Sequence, residues 1–320
     1  MTEGQSSTSS HATAPARHQI AIWWRAIRPK SFTATTTPIA VGVALAAIDG
    51  YFAPGWAALT LLAALLLQAG TNLTNDYFDH RSGVDSTTSL SPSGVIQQAL
   101  LAPRAVLIGG LGCFALSAAL GIALALHGGP WIWSFGVVGL LIGLLYTAGP
   151  FPLAYKGFGE VVVFIAMGPA MVLGTYIVQT GIARPLALAA GIPIGLLVAA
   201  IMHANNVRDI ETDRQKGKWT LAARFGRTFA RREYAFLITG AYAALLALAV
   251  FDRHLTLGGL AAFLTLPSAQ RLVQTVYETD NPEQLNSVLR GTAVLHGRFG
   301  ALWAAGLALI AAGRALGLPW

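Results

Sequence analysis

The sequence predicts an all-α protein, a polytopic membrane bundle of nine transmembrane helices. Of its 320 residues, 54% are hydrophobic and only 11% are charged, and the mean hydropathy is +0.58. Soluble domains carry about 25% charged residues, so a soluble globule of this length could not bury so much apolar surface. The single cysteine, Cys113, excludes a disulfide scaffold, and the 35 glycines have no three-residue period, which excludes collagen.

The N-terminal residues predict a tail followed by a helix at the membrane surface. Residues 1–18 are rich in Ser, Thr and Ala and lack the apolar core of a signal peptide. We expect them to be disordered, and residues 19–320 to form one membrane domain. Between residues 19 and 30, Trp23 and Trp24 stand beside Arg25, Arg28 and Lys30. Tryptophan and basic residues together are typical of a helix that lies in the membrane interface.

Nine apolar stretches are long enough to cross a bilayer, which takes about 20 residues in a helix. Three pairs of them are joined by very short loops and predict tight helical hairpins. Three longer connections, 75–103, 205–232 and 275–295, hold most of the polar residues. The predicted spans are 34–52, 56–74, 104–126, 131–149, 159–180, 185–204, 233–251, 255–274 and 296–316.

The basic residues are distributed very unevenly between the two sides of these spans. With a cytoplasmic N-terminus, one side collects 18 of the 21 Lys and Arg residues, and the other keeps Arg184, Arg253 and Arg314. Cytoplasmic loops carry such an excess of positive charge. The pattern predicts an N-terminus inside and a C-terminus outside, and it favours an anionic partner on the cytoplasmic side.

Two acidic motifs stand on this basic side, one after the second span and one after the sixth. They share the pattern Asn-(Asp/Asn)-x-x-Asp at an offset of 130 residues. Asn75 corresponds to Asn205, Asp76 to Asn206, and Asp79 to Asp209. Because four spans separate the motifs, both face the same side. The pattern predicts a parallel internal repeat of a four-helix unit.

The spacing within each motif has a chemical meaning. If the helices continue beyond the bilayer, Asn75 and Asp79 lie one turn apart, as do Asn205 and Asp209, and Asp209 and Asp213. Carboxylates this close repel each other unless a cation lies between them, and oxygen donors suit Mg²⁺ with a phosphate ligand. Several cations surround the second motif: Arg208, Arg214, Lys216 and Lys218. The alternative is a pair of solvated, salt-bridged loops, which two matching motifs on one side make a poorer explanation.

The motif sequences NDYFDHRSGVD and NNVRDIETDRQKGKWTLAARFG resemble those of the UbiA superfamily of intramembrane aromatic prenyltransferases. Three further stretches are similar to its 1,4-dihydroxy-2-naphthoate polyprenyltransferase (MenA-like) branch: RPKSFTATTTPIAVG, YTAGPFPLAYKGFGEVVVF and GPAMVLGTY. The resemblance runs from about Arg28 to past Gly226. It implies a helical bundle around a central cavity that cytoplasmic loops cap. It also implies Mg²⁺-dependent ionisation of a polyprenyl diphosphate, whose allylic cation alkylates an electron-rich ring.

The resemblance also implies roles for individual residues. Two Mg²⁺ ions bridging the diphosphate would be held by Asn75, Asp76 and Asp79 and by Asn205, Asp209 and Asp213. The leaving diphosphate would be bound by Arg28, Lys30, Asn72, Asn75, Lys156, Asn205, Asn206, Arg208 and Lys218. Asp85 matches a further acidic position of the first motif. Unlike many superfamily members, the 86–103 stretch has no Lys or Arg, so Lys156 is the preferred source of neutralising charge. The catalytic set is Asp76, Asp79, Asp209, Asp213, Lys156 and Glu160.

Two further ionisable residues have alternative interpretations. Glu160 begins the fifth predicted span and is either an interfacial partner of Lys156 or a group that orients or deprotonates the acceptor. His203, just before the second motif, is either a base or a buried histidine with both ring nitrogens satisfied. Tyr146 and Tyr155 border the same loop and are candidates for substrate contact.

The sequence therefore predicts a cell-membrane enzyme that transfers a polyprenyl group to 1,4-dihydroxy-2-naphthoate with loss of CO₂, for menaquinone biosynthesis. Another acceptor of the same superfamily, such as 4-hydroxybenzoate or homogentisate, is the first alternative. A secondary transporter is the alternative from another class. It predicts charged residues at mid-span depth, whereas the acidic motifs here stand at one face. A non-catalytic lipid-binding scaffold would not need paired aspartate motifs. No nucleic-acid partner is expected.

Overall fold

The computed structural model describes residues 16–83, 93–146 and 152–318, and the regular structure in these ranges is helical. The all-α prediction is confirmed. In chain order the helices are α1 (Ala16–Ala26), α2 (Thr33–Ile48), α3 (Pro54–Arg81), α4 (Pro103–Gly128), α5 (Pro130–Leu145), α6 (Gly159–Ile165), α7 (Met171–Thr180), α8 (Pro185–Arg208), α9 (Ile210–Gln215), α10 (Leu221–Phe225), α11 (Arg227–Ala247), α12 (Arg253–Gly259), α13 (Leu266–Glu278) and α14 (Pro282–Ala315).

Within the described residues, seven helical stretches are long and apolar enough to cross a membrane. They are Pro29–Ile48, Pro54–Arg81, Pro103–Gly128, Gly159–Thr180, Pro185–Arg208, Arg227–Val250 and Pro282–Ala315. The predicted span 131–149 corresponds to the shorter apolar helix α5. The predicted span 255–274 corresponds to α12, a 3₁₀ stretch from Leu260 to Thr265, and α13. The protein is therefore a multi-pass membrane bundle.

Proline marks where many of these helices begin. It occupies the first helical position of α3, α4, α5, α8 and α14, where its missing N–H is not needed and its fixed φ suits the first turn. The observed ends of two helices differ from the ends of the predicted spans. The helix α3 runs seven residues beyond the expected span end, to Arg81, and α14 begins well before residue 296. A polar segment can remain helical once the chain has left the apolar layer, which hydropathy alone does not report.

The helix α8 lies at the centre of the bundle and packs against α2, α6, α11 and α14. Small residues allow this close packing. A Cβ at Gly191 would lie 2.3 Å from Pro169 Cα, and a Cβ at Gly195 would lie 2.6 Å from the Phe164 carbonyl oxygen. The largest buried apolar cluster includes Ile194 and Leu197 of α8 and Tyr234 of α11, all fully buried. The second acidic motif therefore follows a closely packed helix.

Two ends of the bundle can be distinguished by their ion pairs. At one end Arg184 pairs with Asp49, and Tyr176 donates to the same carboxylate at 2.6 Å. Arg314 donates to the Ile48 carbonyl at 3.2 Å, which places it at this end as well. The opposite end holds both acidic motifs and most of the basic side chains.

A separate small apolar cluster covers the first motif. It joins α1 to the 93–101 segment and to the nearby ends of α3 and α4, through residues such as Ile22, Ala26, Leu73, Val95 and Leu101. The predicted surface helix near the N-terminus is present as α1. It begins at Ala16. The rest of the predicted tail, and Asp85, lie outside the described residues.

Candidate active site

The first motif lies on the last two turns of α3, as its spacing predicted. Asn75 and Asp79 are one turn apart and half-buried, whereas Asp76 is 1% exposed. The Asp76 carboxylate pairs with Arg28 and accepts a hydrogen bond from Ser93 in the 93–101 segment. A buried charge is tolerated when it is paired and hydrogen-bonded. Arg28 and Ser93, which are distant from the first motif in sequence, therefore both hold its Asp76 carboxylate in place.

Arg28 reaches Asp76 because the chain turns sharply between α1 and α2. Its φ of 57° is left-handed, and a 3₁₀ turn, Pro29–Ser31, follows. The Asn72 side-chain amide donates to the Ile27 carbonyl at 2.9 Å and to Ser31 Oγ at 3.1 Å. The predicted diphosphate ligand Asn72 therefore holds the turn that presents Arg28.

The second motif differs from the first in its backbone. The helix α8 ends at Arg208, and Asp209 (φ −99°, ψ 11°) separates it from α9. Asn205 Nδ2 still donates to Asp209 Oδ2 at 3.3 Å, as expected for residues one turn apart. The Arg208 guanidinium donates to both Asp209 oxygens, at 2.7 and 2.6 Å, and to Asn286 Oδ1 at 2.9 Å. Arg208 is therefore oriented by the motif and by α14 together.

Asp213 of the second motif lies in surroundings that are unfavourable for a charged carboxylate. Its side chain is buried, Lys218 Nζ lies 3.4 Å from Oδ1, and Oδ2 has no hydrogen-bond partner among the described residues. Burial raises the pKa of this carboxyl to about 6 from 3.8; Lys218 opposes the rise and the Asp209 carboxylate adds to it. Asp213 N donates to the Asp209 carbonyl at 2.7 Å. Asp209 and Asp213 are therefore one helical turn apart, as their spacing predicted.

Tyr155 connects the two motifs. Its hydroxyl donates to Asp79 Oδ1, and Lys218 Nζ lies 5.9 Å from the centroid of its ring, within range of a cation–π contact. Its carbonyl accepts a hydrogen bond from Trp219 N at 3.0 Å. The loop before α6 thus touches a carboxylate of the first motif and a cation of the second.

A buried polar cluster lies beside the second motif. Glu160 Oε1 accepts from Asn206 Nδ2 at 2.8 Å and lies 3.1 Å from His203 Nδ1. His203 Nε2 lies 2.8 Å from the Ala230 carbonyl, and Glu233 Oε2 lies 3.6 Å from Nδ1. The carboxylate and imidazole atoms of Glu160, His203 and Glu233 lie within 4.8 Å of one another. Both nitrogens of His203 are satisfied, as one of its two interpretations expected.

Glu160 keeps one oxygen available within this cluster. The side chain is only 4% exposed, and its Oε2 has no hydrogen-bond partner among the described residues. An unsatisfied buried carboxylate oxygen costs on the order of 1–3 kcal/mol. Such an atom is a suitable acceptor for the hydroxyl of a bound ligand.

Two of the predicted diphosphate-binding residues are exposed lysines. Lys156 follows Tyr155 and is exposed, and Lys30 is exposed with no hydrogen bond or ion pair in the described part of the chain. Ser93, Glu233 and Asn286 were not predicted. Each comes from a segment distant in sequence and belongs to no local pattern, so no sequence signal pointed to them.

The donor set suits a hard divalent cation. The two motifs supply only carboxylate and amide oxygens, from Asn75, Asp76, Asp79, Asn205, Asp209 and Asp213, and Mg²⁺ prefers such ligands together with phosphate oxygens. The buried Asp213 Oδ2 has no hydrogen-bond partner among the described residues, so it is available to a metal ligand bond. The residues present therefore fit Mg²⁺.

Comparison with known proteins identifies the family to which the chain belongs. A family model described as the UbiA prenyltransferase family matches residues 35–289. The chain is 31% identical to a 1,4-dihydroxy-2-naphthoate octaprenyltransferase of Bacillus subtilis, over 95% of this chain and 97% of the relative. It is 34% identical to the Mycobacterium tuberculosis protein of that name, over 85% and 91%. It is also 31% identical to the human UbiA prenyltransferase domain-containing protein 1, over 93% and 86%.

Solved structures share the fold. A UbiA homologue from Archaeoglobus fulgidus aligns with a TM-score of 0.63 at 18% identity, covering 90% of this chain and 99% of that one. The same homologue bound to DMAPP and Mg²⁺ aligns with a TM-score of 0.60 at 16% identity, with the same coverage. Because the family model spans most of the sequence, and full-length relatives exceed 30% identity, this chain belongs to the UbiA prenyltransferase family of membrane enzymes.

Proposed function

We propose that this enzyme transfers a polyprenyl group from polyprenyl diphosphate to 1,4-dihydroxy-2-naphthoate and yields the quinol (reduced) form of a demethylmenaquinone. The observation that carries the proposal is the pairing of the two aspartate motifs at one end of the bundle, connected through Tyr155. The acceptor is supported by the names of the Bacillus and Mycobacterium relatives.

The diphosphate would lie between the two motifs. Asn75, Asp76 and Asp79 on one side, and Asn205, Asp209 and Asp213 on the other, would hold two Mg²⁺ ions. Bound Mg²⁺ supplies charge that neutralises the diphosphate as it departs. Arg28, Arg208 and Lys218 already stand beside motif carboxylates and would bind the remaining phosphate oxygens. Lys30, Lys156, Asn72 and Asn206 complete the proposed diphosphate set, with Asn72 and Asn206 acting through the residues that they orient.

The bond changes in this reaction balance without a redox partner. The allylic C–O bond breaks, and its electron pair leaves with the diphosphate. A C–C bond then forms at the ring carbon that bears the carboxylate. Loss of that carboxylate as CO₂ returns an electron pair to the ring. The protein has to stabilise negative charge on the leaving group, which fixed cations do well in a site that excludes water.

We propose that Glu160 receives the acceptor. Asn206 and His203 fix Oε1, so the free Oε2 is placed to accept a hydrogen bond from a ring hydroxyl. As that proton moves toward the carboxylate, the ring becomes a better nucleophile. Tyr146 lies close by, since a Cβ at Gly159 would be 3.3 Å from its hydroxyl oxygen.

The membrane arrangement is also part of the proposal. We propose nine spans around a central cavity, with α5 and the stretch from α12 to α13 as the two spans beyond the seven long ones. The N-terminus and the acidic motifs would face the cytoplasm, with the C-terminus outside the cell membrane. The distribution of 18 of the 21 basic residues supports this orientation.

A panel of acceptors tests the proposed substrate. The purified protein in nanodiscs receives a radiolabelled polyprenyl diphosphate, Mg²⁺, and 1,4-dihydroxy-2-naphthoate, 4-hydroxybenzoate or homogentisate in turn. We expect a lipid-soluble product with the naphthoate, together with released CO₂. A product with only another ring would replace the acceptor and keep the enzyme class, as the similarity to UbiA prenyltransferase domain-containing protein 1 allows. No product with any ring, but uptake of a prenyl compound into vesicles, would favour the transporter.

A further inference from the structure

A groove separates α13 from α14 at the surface of the bundle. It encloses about 730 Å³, a volume typical of small-molecule sites. One wall comes from the end of the 3₁₀ stretch Leu260–Thr265 and from α13, and the other comes from α14. The residues are Leu264, Thr265, Ser268, Arg271, Leu272 and Thr275 on one side, and Gly291, Val294, Leu295, Arg298, Ala301 and Leu302 on the other. None of these belongs to the candidate active site.

Two arginines give the groove its charge. Arg271 and Arg298 are both exposed, and neither side chain has an ion pair or hydrogen bond with any described residue. No acidic side chain lines the groove. The arginine Arg290, two turns before Arg298 on the same helix, is also exposed but does not line it.

The two arginines lie at different depths. The helices are consecutive and antiparallel, and a Cβ at Gly291 would lie 2.6 Å from Leu272 Cδ2, so Arg271 is level with Gly291. Arg298 lies about 10 Å further along α14, at 1.5 Å per residue. It occupies the middle of the 34-residue α14. An arginine near the apolar layer is costly unless it pairs with an anion or extends toward the surface.

We propose that this groove binds one anionic phospholipid. Its phosphate would accept hydrogen bonds from Arg298 and from Arg271. The exposed Ser268 hydroxyl lies on the same side of the groove as Arg271. An acyl chain would continue over Leu264, Ala301 and Leu302. Basic grooves between membrane helices bind anionic head groups in this way, and the guanidinium fork matches phosphate oxygens. A zwitterionic lipid fits less well, because its cationic head would face two arginines, and none of the described residues that line the groove is acidic.

Native mass spectrometry of the full-length protein tests this site. The protein is taken from nanodiscs of phosphatidylcholine with or without phosphatidylglycerol, and retained lipids are counted. We expect one phosphatidylglycerol to remain bound, and the R271Q/R298Q variant to bind it at least about tenfold more weakly. The R290Q variant is the matched control, since it removes an exposed arginine of α14 outside the groove, and it should bind as the unchanged protein does.

Three outcomes would overturn the proposal. They are equal retention by R271Q/R298Q, equal retention of phosphatidylcholine, and displacement of phosphatidylglycerol by a polyprenyl diphosphate in proportion to its concentration. Circular dichroism of the variant has to match that of the unchanged protein. If the double variant does not fold, R298Q alone is measured, because the deeper arginine has the greater need of an anion. Prenyl transfer is not the readout, so this result is independent of the proposed function.

Discussion

At the scale of single residues, Asp213 is the motif carboxylate whose burial raises its pKa. The folded chain holds its proton up to about pH 6, whereas the ordinary value is 3.8. Between these values the folded state binds more protons than the unfolded state, so the free energy of unfolding falls as the pH rises. Above about pH 6 this decrease in the free energy of unfolding is complete. It amounts to on the order of 1–3 kcal/mol.

Thermal unfolding in EDTA from pH 4 to pH 8 measures this effect. We expect stability to decrease between pH 4 and 6, and D213N to remove that decrease while abolishing stabilisation by added Mg²⁺. The control is D252N at the other end of the bundle, where His254 and Arg314 counter burial and the carboxyl pKa is lowered. It should keep the decrease. An unchanged profile in D213N would contradict the assignment.

Glu160 provides a second prediction at this scale. E160Q keeps the size of the side chain but removes the charge that accepts an acceptor hydroxyl proton. We expect kcat to fall on the order of 100-fold or more, as for loss of a general base, with the KM for polyprenyl diphosphate changed less than twofold. The exposed Glu283 supplies the control E283Q, which should behave as the unchanged enzyme. Equal loss in both variants, or a selective rise in the diphosphate KM, would speak against the acceptor role.

At the scale of structural elements, the loop before α6 joins the two motifs through Tyr155. Y155F removes the hydroxyl that donates to Asp79 and keeps the ring near Lys218. A hydrogen bond to a charged group contributes about 1.5–3 kcal/mol, so we expect the KM for polyprenyl diphosphate to rise roughly tenfold. Y51F, at an exposed site near the opposite end, is the control. Unchanged kinetics in Y155F would show that the loop does not couple the motifs.

Packing between α12 and α14 gives another prediction at this scale. A Cβ at Gly306 would lie 1.9 Å from the Gly258 carbonyl oxygen, an atom that cannot move away alone. We expect G306A to destabilise the protein by about 1–3 kcal/mol, measured by thermal unfolding in detergent. G121A in α4, where nothing lies within 4 Å, should be neutral or slightly stabilising because alanine favours helix. Equal stability of the two variants would disprove this close contact.

The helices and the breaks between them also show how much of the fold could be predicted from the sequence. The long apolar stretches predicted most of the membrane-spanning helices, and the motif spacing predicted the neighbours Asn75 and Asp79 on α3. The break at Asp209 and the 3₁₀ stretch from Leu260 to Thr265 were not predicted. Both depend on packing against other helices, which override local preference. Ser93 and Asn286 reach the site from segments whose own patterns carry no signal, since tertiary folding alone brings them there.

At the scale of the whole molecule, the two acidic motifs lie at the same end of the bundle. Two helices that are 130 residues apart in sequence, α3 and α8, end at the same side, and each delivers a cluster of oxygen donors. The intervening loop and the N-terminal turn bring Tyr155 and Arg28 onto these clusters. A bundle with only one such helix end could bind a cation, but it would lack donors on both sides of a diphosphate.

The most direct test of the central claim is Mg²⁺-dependent product formation by the unchanged protein, D79N and D209N in identical nanodiscs. With polyprenyl diphosphate and 1,4-dihydroxy-2-naphthoate, we expect demethylmenaquinol, detected as demethylmenaquinone after oxidation by air, from the unchanged protein only when Mg²⁺ is present. Each single variant should lose at least about 100-fold in rate, because the motifs act together. Full activity in either variant, or product formation in excess EDTA, would contradict the paired-motif account.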